Sequence, residues 1–463
     1  MAELREGGPG AAGIEIVEPS RTDAGVDSLL YITGWCARGA EPELLLDGRP
    51  VEATIYPLAA ADAEPNRFAA VVTVRAGYAV GSHRLSLRVA GEALPELAHV
   101  QLEVPPGGES IPFPAEPADE PLVAICMAAY EPPPGLLEQQ VASIRRQTHR
   151  RFVCIVSDDA SSEPAWERIR AAVGDDSRFV CVRGDERLGY YRNFERALRL
   201  VPREAELVAF ADQDDRWYPD KVETLVAAIR RDGAQLVCGD MRIVDAEGRV
   251  MAPGYWTERR RNVALLTPLL LMNSLPGAAI LFRRELLDTA LPFPPEVGRP
   301  FHDHWLATVA LARGRIECVE RPLQDYVQHG GNVTGRHVAS GDLRGGPLHA
   351  LRRLAAEPRR RLASTRLHAS TEYLAELVRI ELFARTIELR VGGRLSTERS
   401  AEIRRLARLR RSGDALLWLA GRSVRDASGR GETLGAENQL LKALIWTHAE
   451  TLRRRVYATR RRR

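Results

Sequence analysis

No stretch of the chain is apolar for long enough to cross a bilayer. The nearest candidate, Leu265 to Phe282, is interrupted by Pro268, Asn273, Ser274 and Pro276, so no spanning helix is expected. The opening residues, MAELREGGPGAAG, have neither the basic region nor the apolar stretch of a secretory signal peptide. Cysteine is sparse, at six in 463 residues, with no CxxC pair and no regular spacing. That excludes a disulfide framework. Four of the six (Cys126, Cys154, Cys181 and Cys238) lie inside short apolar runs and read as small core residues of a reducing compartment. Net charge is only +3, so whole-chain charge favours no particular partner. Internal repeats are absent, and the arginines at the end of the chain are the one biased tract. The protein is therefore expected to be cytoplasmic, and at most peripheral at the inner face of the cell membrane.

What charge there is falls unevenly. Acids are in excess up to about residue 120, whereas arginine dominates from Arg344 onward, with seven arginines among the eleven residues Arg453 to Arg463. Such an end suits anionic lipid head groups, a lipid-diphosphate acceptor or nucleic acid, and it is equally a solvated tail. Nucleic acid is not an expected partner.

The length suggests two to four domains at roughly 100–200 residues each, and the patterns favour three. Over residues 1–104, apolar residues alternate in Leu29–Ala37, Glu43–Tyr56, Arg67–Arg75 and His83–Gly91, and Asp47-Gly48 is a hairpin signal. Short strands at this spacing predict a β-sandwich, with a positioning or carbohydrate-contacting accessory role. Residues 105–120 contain five prolines and no apolar period, a linker composition. Over 121–340 buried strands alternate with helices: Val123–Tyr130, Leu136–Thr148, Phe152–Asp159, a helix at PAWERIRAAV, a strand at FVCVRG, a helix at YRNFERALRLV, then Leu207–Asp215. This alternation predicts a Rossmann-like, mostly parallel α/β sheet whose ligands sit beyond the carboxyl ends of the strands. Residues 341–463 read as helical and Arg-rich, with helices at Leu348–Leu367, Ser370–Val391, Ser396–Leu419 and Asn438–Arg455.

The sharpest feature is Ala211-Asp212-Gln213-Asp214-Asp215-Arg216-Trp217, three carboxylates in four positions behind an apolar strand. Acids this close repel unless a cation offsets them, and Mg²⁺ or Mn²⁺ is the usual one, with coordination sites left for diphosphate oxygens. The alternative is an acidic turn leading into the helix after Pro219. Asp158-Asp159 ends the second strand likewise; one carboxylate could accept from a pyrimidine imide N–H, while Ser161 or Ser162 caps the next helix. Tyr130 ends the first strand, where its ring could stack on a base or simply pack.

The ordered series VAICMAAYEPP, SIRRQTHRRFVCIVSDDAS, RLGYYRNFERAL, LVAFADQDDRWYPDKVETL, PGAAILFRREL and FHDHWLATVALARGRIECVERPLQDYVQHGGNVTG resembles family 2 inverting glycosyltransferases of the GT-A fold. Among them it looks most like bacterial rhamnosyltransferase-like members that build cell-surface polysaccharides. The resemblance covers about Pro121–Arg336. It implies that Tyr130 and Glu131 contact base and ribose, that Asp159 reads the pyrimidine edge, and that Asp212, Gln213, Asp214 and Asp215 form the metal and diphosphate motif, with Asp214 as first ligand. Asp303, within His302-Asp303-His304-Trp305, matches the catalytic base. His329 matches a histidine that joins the metal shell in some relatives, and Gly189 and Asn193 would shape the donor pocket. Two positions depart from the pattern: AAYEPP replaces a Thr-Tyr-Asn type sequence, and Val327 stands where many relatives have Arg, which weakens that loop's diphosphate contact.

Inverting transfer needs a base for the acceptor hydroxyl and a Lewis acid for the departing nucleoside diphosphate. The expected reaction is transfer of a sugar, rhamnose foremost, from a dTDP- or UDP-type donor to a surface polysaccharide or lipid-linked glycan. UDP-galactofuranose is an alternative donor, because a sandwich before and helices after the catalytic domain also resemble galactofuranosyltransferases. A catalytically silent glycan-binding or scaffold protein is the alternative of another class. His302 and His304, lacking Cys partners, are a thin ligand set for zinc.

Overall fold

The structure is a computed structural model that describes residues 12–36, 42–57, 66–89, 92–93, 98–103, 119–256, 263–330, 359–410, 412–425, 433 and 436–445. The N-terminal residues, most of the Pro-rich stretch, the expected helix up to 358, Gly429–Gly431 and the arginine-rich end lie outside the described residues.

Alternation in the first hundred residues becomes two antiparallel-dominated sheets. One has β1 (Gly13–Glu18), β3 (Ser28–Cys36), β6 (Ala53–Pro57) and β7 (Asn66–Val74) in the order β1-β3-β7-β6. The other has β2 (Arg21–Asp23), β4 (Pro42–Leu46), β5 (Arg49–Pro50), β8 (Gly81–Val89), β9 (Glu92–Ala93) and β10 (Ala98–Glu103), ordered β2-β10-β8-β4-β5 with β9 on β8. Leu30, Ile32, Leu44, Phe68, Val72, Leu85 and Val100 fill the space between them. The predicted hairpin at Asp47-Gly48 joins β4 to β5, with φ of 51° and 74° at its two residues, the left-handed pair that a two-residue turn needs.

The central region is a curled sheet ordered β13-β12-β11-β14-β18-β16-β19-β15. Its parallel half comprises β11 (Val123–Ala129), β12 (Phe152–Asp158), β13 (Phe179–Arg183) and β14 (Leu207–Asp212). The rest is mixed: β15 (Arg216–Trp217), β16 (Leu236–Asp245), β17 (Val250–Ala252) on β16, β18 (Ile280–Arg283) antiparallel to β14, and β19 (Ile316–Gln328). Helices α1 (Leu136–Arg145), α2 (Glu163–Val173), α3 (Gly189–Arg199), α4 (Lys221–Asp232), α5 (Leu266–Leu271), α6 (Leu287–Ala290) and α7 (His302–Arg313) cover it. Strands β11, β12 and β14 are buried along almost their whole length, as continuous apolar runs require. β14 stops at Asp212, three residues before the predicted end, which puts the remaining acids in a turn.

The C-terminal region is helical, with different breaks from those expected. The helix α8 (Arg359–Val391) runs unbroken where two helices were predicted. Neither Gly nor Pro interrupts it, so Ser370 starts nothing new. The span Ser396–Leu419 is instead two helices, α9 (Thr397–Ala407), capped by Ser396, and α10 (Gly413–Arg425). The second half of α8 joins the core of the central sheet through Leu377, Ile380, Phe383 and Ile387 and meets the sandwich through Val378 and Leu382, which pack with Leu29, Tyr56 and Val71. At that junction Tyr56 donates to Glu381, and Arg410 donates to the other Glu381 oxygen at 2.8 Å. A second tie runs from α3 to β2, where Arg199 bonds both oxygens of Asp23 at 3.0 and 2.9 Å.

Candidate active site

Because β11, β12 and β14 are parallel, Tyr130, the Asp158-Asp159 pair and the acid turn after Asp212 leave the sheet at the same edge. Gln213 ties two of these together: its Oε1 accepts from the Tyr130 N–H at 2.9 Å and its Nε2 donates to the Tyr130 carbonyl at 3.1 Å. The Tyr130 ring carries the Arg187 guanidinium 4.0 Å from its centroid. Glu131, with φ of 40°, turns to α2, where its carboxylate accepts from the Ser162 N–H at 2.6 Å and hydroxyl at 3.1 Å. That backbone bond holds the Glu131 carboxyl below its ordinary value.

The two neighbouring acids at the end of β12 have separate tasks. Asp158 closes a local turn, accepting from the Ser161 N–H at 3.1 Å and its hydroxyl at 2.5 Å. Asp159 points to α3, where its oxygens accept from the Leu188 and Gly189 N–H groups, each at 2.8 Å, satisfying donors that a helix start leaves unpaired. Gly189 has φ of 81° there. Asn193 is 1% exposed, and its amide is used up inside the protein. It donates to the carbonyls of Ser157 at 2.9 Å and Ala129 at 3.4 Å and accepts from the Ser157 hydroxyl and Arg196, each at 2.7 Å. Asn193 braces the strand ends rather than facing outward.

Within the acid turn the carboxylates diverge. Asp214 faces His329, whose Nε2 is 2.7 Å from its Oδ2. Asp215 points inward, accepting from Gln324 Nε2 at 2.7 Å and from the Val327 N–H at 3.3 Å; burial, then the charges of Asp212 and Asp214, hold its carboxyl well above the ordinary range. Asp212 is pushed up to about 7 by lost hydration and then by the charges of Asp214 and Asp303. Those couplings put Asp212, Asp214 and Asp303 in one electrostatic group.

Asp303 is the second residue of α7. Its Oδ1 accepts from Asn273 Nδ2 at 2.8 Å and from the His304 N–H at 2.6 Å, and the Gly277 N–H bonds the same carboxyl. Burial nevertheless pushes it up to about 7, a value suited to a base at neutral pH. The flanking histidines do not form a zinc pair. His304 is locked between the Leu269 carbonyl at 2.6 Å and Arg379 at 2.9 Å. His302 stacks on Phe194 at 3.6 Å and meets Phe210 edge-on at 4.6 Å, and burial drops its pKa to about 3.

Asn273, Lys221 and Gln324 belong to this constellation and escaped the sequence reading, whereas Gly277 lies in the PGAAILFRREL segment already quoted. An Asn ending a run of leucines was the available signal for Asn273. Nothing marked Lys221, since a lysine at a helix start is ordinarily solvated.

Residues 124–291 match the family model Glycosyl transferase family 2. Over that span the chain is similar to family 2 glycosyltransferases. The matched segment holds every candidate from Tyr130 to Asp215, with Asn273 and Gly277, and ends before Asp303 and His329. An uncharacterised glycosyltransferase of Nostoc sp. is 21% identical over 203 residues, 42% of this chain and 62% of its own length. A UDP-Glc:alpha-D-GlcNAc-diphosphoundecaprenol beta-1,3-glucosyltransferase of Escherichia coli is 29% identical over 105 residues, 23% of this chain and 40% of its own. The chain thus spans less than two thirds of either curated relative. Among solved structures, S. aureus TarS 1–349 in complex with UDP-GlcNAc aligns with a TM-score of 0.43 at 13% identity, over 72% of this chain and 91% of that one. Among the described residues, no helix is long and apolar enough to cross a membrane.

Proposed function

We propose that this domain transfers a sugar, with inversion, from a nucleoside-diphosphate donor to a surface polysaccharide or lipid-linked glycan. The observation that carries the reading is the Asp303 carboxyl, aimed by Asn273 and the His304 N–H, tuned to about 7, and electrostatically coupled to the acid turn. In this reading Asp303 takes the proton of the acceptor hydroxyl as that oxygen attacks the anomeric carbon opposite the departing diphosphate.

A divalent ion fits the residues present. Clustered carboxylates beside one imidazole are hard donors suited to Mg²⁺ or Mn²⁺, and Asp214 with His329 would hold it, Asp212 alongside. Among the described residues no group of three His, Cys, Asp or Glu side chains is placed to hold a metal ion, so in this reading the rest of the shell would have to come from diphosphate oxygens and water. Asp215, engaged by Gln324 and Val327, is assigned to holding the turn rather than to the ion. When bound, the ion would stabilise charge on the leaving diphosphate. Tyr130 and Asp159 would border the base, Glu131 and Gly189 shaping that edge through the turns they hold.

For the donor we infer a dTDP- or UDP-sugar, with dTDP-rhamnose the first to try and UDP-galactofuranose or another hexosyl donor next. The E. coli relative's stated acceptor, a sugar diphosphoundecaprenol, favours a lipid-diphosphate acceptor, reached from the cytoplasmic side with the basic C-terminal end near the membrane surface. The test is a panel of sugar nucleotides with Mn²⁺, Mg²⁺ or EDTA, scored for turnover and for metal-dependent donor binding. Turnover of one pyrimidine-diphosphate sugar with metal supports the reading. Neither turnover nor metal-dependent binding across the panel would favour a silent glycan-binding protein.

A further inference from the structure

Lys221 opens α4 directly after the acid turn, yet it is only 1% exposed. Its amine lies 3.7 Å from the centroid of the Trp217 ring and donates to the Ala278 carbonyl and to Gln324 Oε1. Gln324 on β19, with no exposed surface, uses its other end to donate to Asp215 at 2.7 Å. Ala278 follows Gly277, whose N–H bonds the Asp303 carboxyl. One line of hydrogen bonds therefore leads from the acid turn to the candidate base, crossing α4, β19 and the Gly277–Ala279 turn. Burial holds the Lys221 amine well below its ordinary pKa, against the charges of Asp215 and Asp212; a buried amine is costly unless its protons find acceptors, and here those acceptors belong to the two halves of the site.

We propose that Lys221 is a positioning residue that fixes the spacing between the acid turn and Asp303, through Gln324 on one side and the Gly277–Ala279 turn on the other. The inference rests on the glycosyl-transfer reading. Without the amine, the Ala278 carbonyl and Gln324 Oε1 both lose their donor, and the turn that orients Asp303 is released from β19. Donor binding is set by the strand ends and by Asp214, whose turn keeps the Val327 N–H bond to Asp215, so it falls far less than kcat, whereas alignment of the base with the anomeric carbon is lost.

The test uses Lys221→Met, which keeps the length and removes the donor group, and Gln324→Leu, each alone and combined with Asp303→Asn. Steady-state transfer and donor Kd are measured on the full chain, with circular dichroism and thermal unfolding to verify folding. Each single variant is expected to lower kcat about 10²-fold, the scale of a misplacement near 1 Å, with donor Kd unchanged in Lys221→Met and weakened by no more than a few-fold in Gln324→Leu, which also frees one Asp215 oxygen. In the Asp303→Asn background neither should cost anything more. An unchanged kcat, losses that multiply with that of Asp303→Asn, or a loss confined to donor Kd overturns the proposal; if Lys221→Met does not fold, Gln324→Leu decides. A wild type that turns over no donor sinks the glycosyl-transfer reading instead. In that case a crystal structure of Lys221→Met still judges the positioning role, because a Gly277–Ala279 turn displaced from β19 supports it and an unmoved turn refutes it.

Discussion

Replacing Gly277 with alanine puts one methyl group into the contact between the Gly277–Ala279 turn and helix α7. An ideal Cβ there would stand 2.6 Å from His302 Nε2 and 3.3 Å from Asp303 Cβ. The imidazole must retreat by about 0.8 Å to restore ordinary contact at 3.4 Å, and it has nowhere to go, being stacked on Phe194 at 3.6 Å and held edge-on by Phe210. The turn must move instead, taking with it the Gly277 N–H that Asp303 uses. Overpacking of this kind costs about 1–3 kcal/mol, partly offset by the roughly 0.4–1 kcal/mol that alanine gains by restricting the unfolded chain. A shift approaching 1 Å at the base implies a kcat loss near 10²-fold with donor affinity retained. The assays are chemical denaturation and steady-state transfer with calorimetric donor binding. A Gly277→Ala protein with wild-type stability and kcat would refute the close-approach argument.

Other perturbations separate the parts of the site. Asp214→Ala should weaken donor binding roughly tenfold or more, about 1.4 kcal/mol, in Mn²⁺ and not in EDTA; equal losses in both titrations would remove Asp214 from the ion. Transfer should rise with pH through about 7, because Asp303, held up to that value by burial, is protonated and inert as a base below it; a profile flat from pH 5.5 to 8.5 contradicts this. The same group has a folded pKa above its unfolded value near 3.9, so between these values the native state binds the extra proton. Stability from Asp303 therefore falls as pH rises through that window, and Asp303→Asn should flatten that part of the unfolding-temperature profile. At the sandwich junction, Glu381→Ala leaves Arg410, its side chain 1% exposed, without its carboxylate; a loss of about 3–5 kcal/mol is expected, read by denaturation, and a loss under about 1 kcal/mol would mean water reaches the pair.

Local chemistry was legible wherever one segment sufficed. Continuous apolar runs marked β11, β12 and β14, alternation marked the sandwich, and the acid turn stood out by charge. The division of labour between Asp158 and Asp159 was not readable, because Asp159 is satisfied by amides of Leu188 and Gly189, thirty residues away in another loop. The aiming of Asp303 by Asn273 and Gly277 depends on β18 lying antiparallel beside β14, and no period in the sequence encodes that neighbour. Lys221 looked like a solvated helix start until β19 brought Gln324 over it. The unbroken α8 shows the converse: a boundary expected at Ser370 on local pattern alone is not there, because packing of Leu377, Ile380 and Phe383 on the core outweighs a weak local signal.

The most direct measurement is the transfer rate of Asp303→Asn beside its donor affinity. The amide can still accept from Asn273 and the His304 N–H, so the fold and donor site should persist while proton removal fails. Transfer should drop by about 10²–10⁴-fold at unchanged donor Kd and with unfolding temperature equal or higher. Full activity in that variant would contradict the assignment of Asp303 as the base on which the account depends.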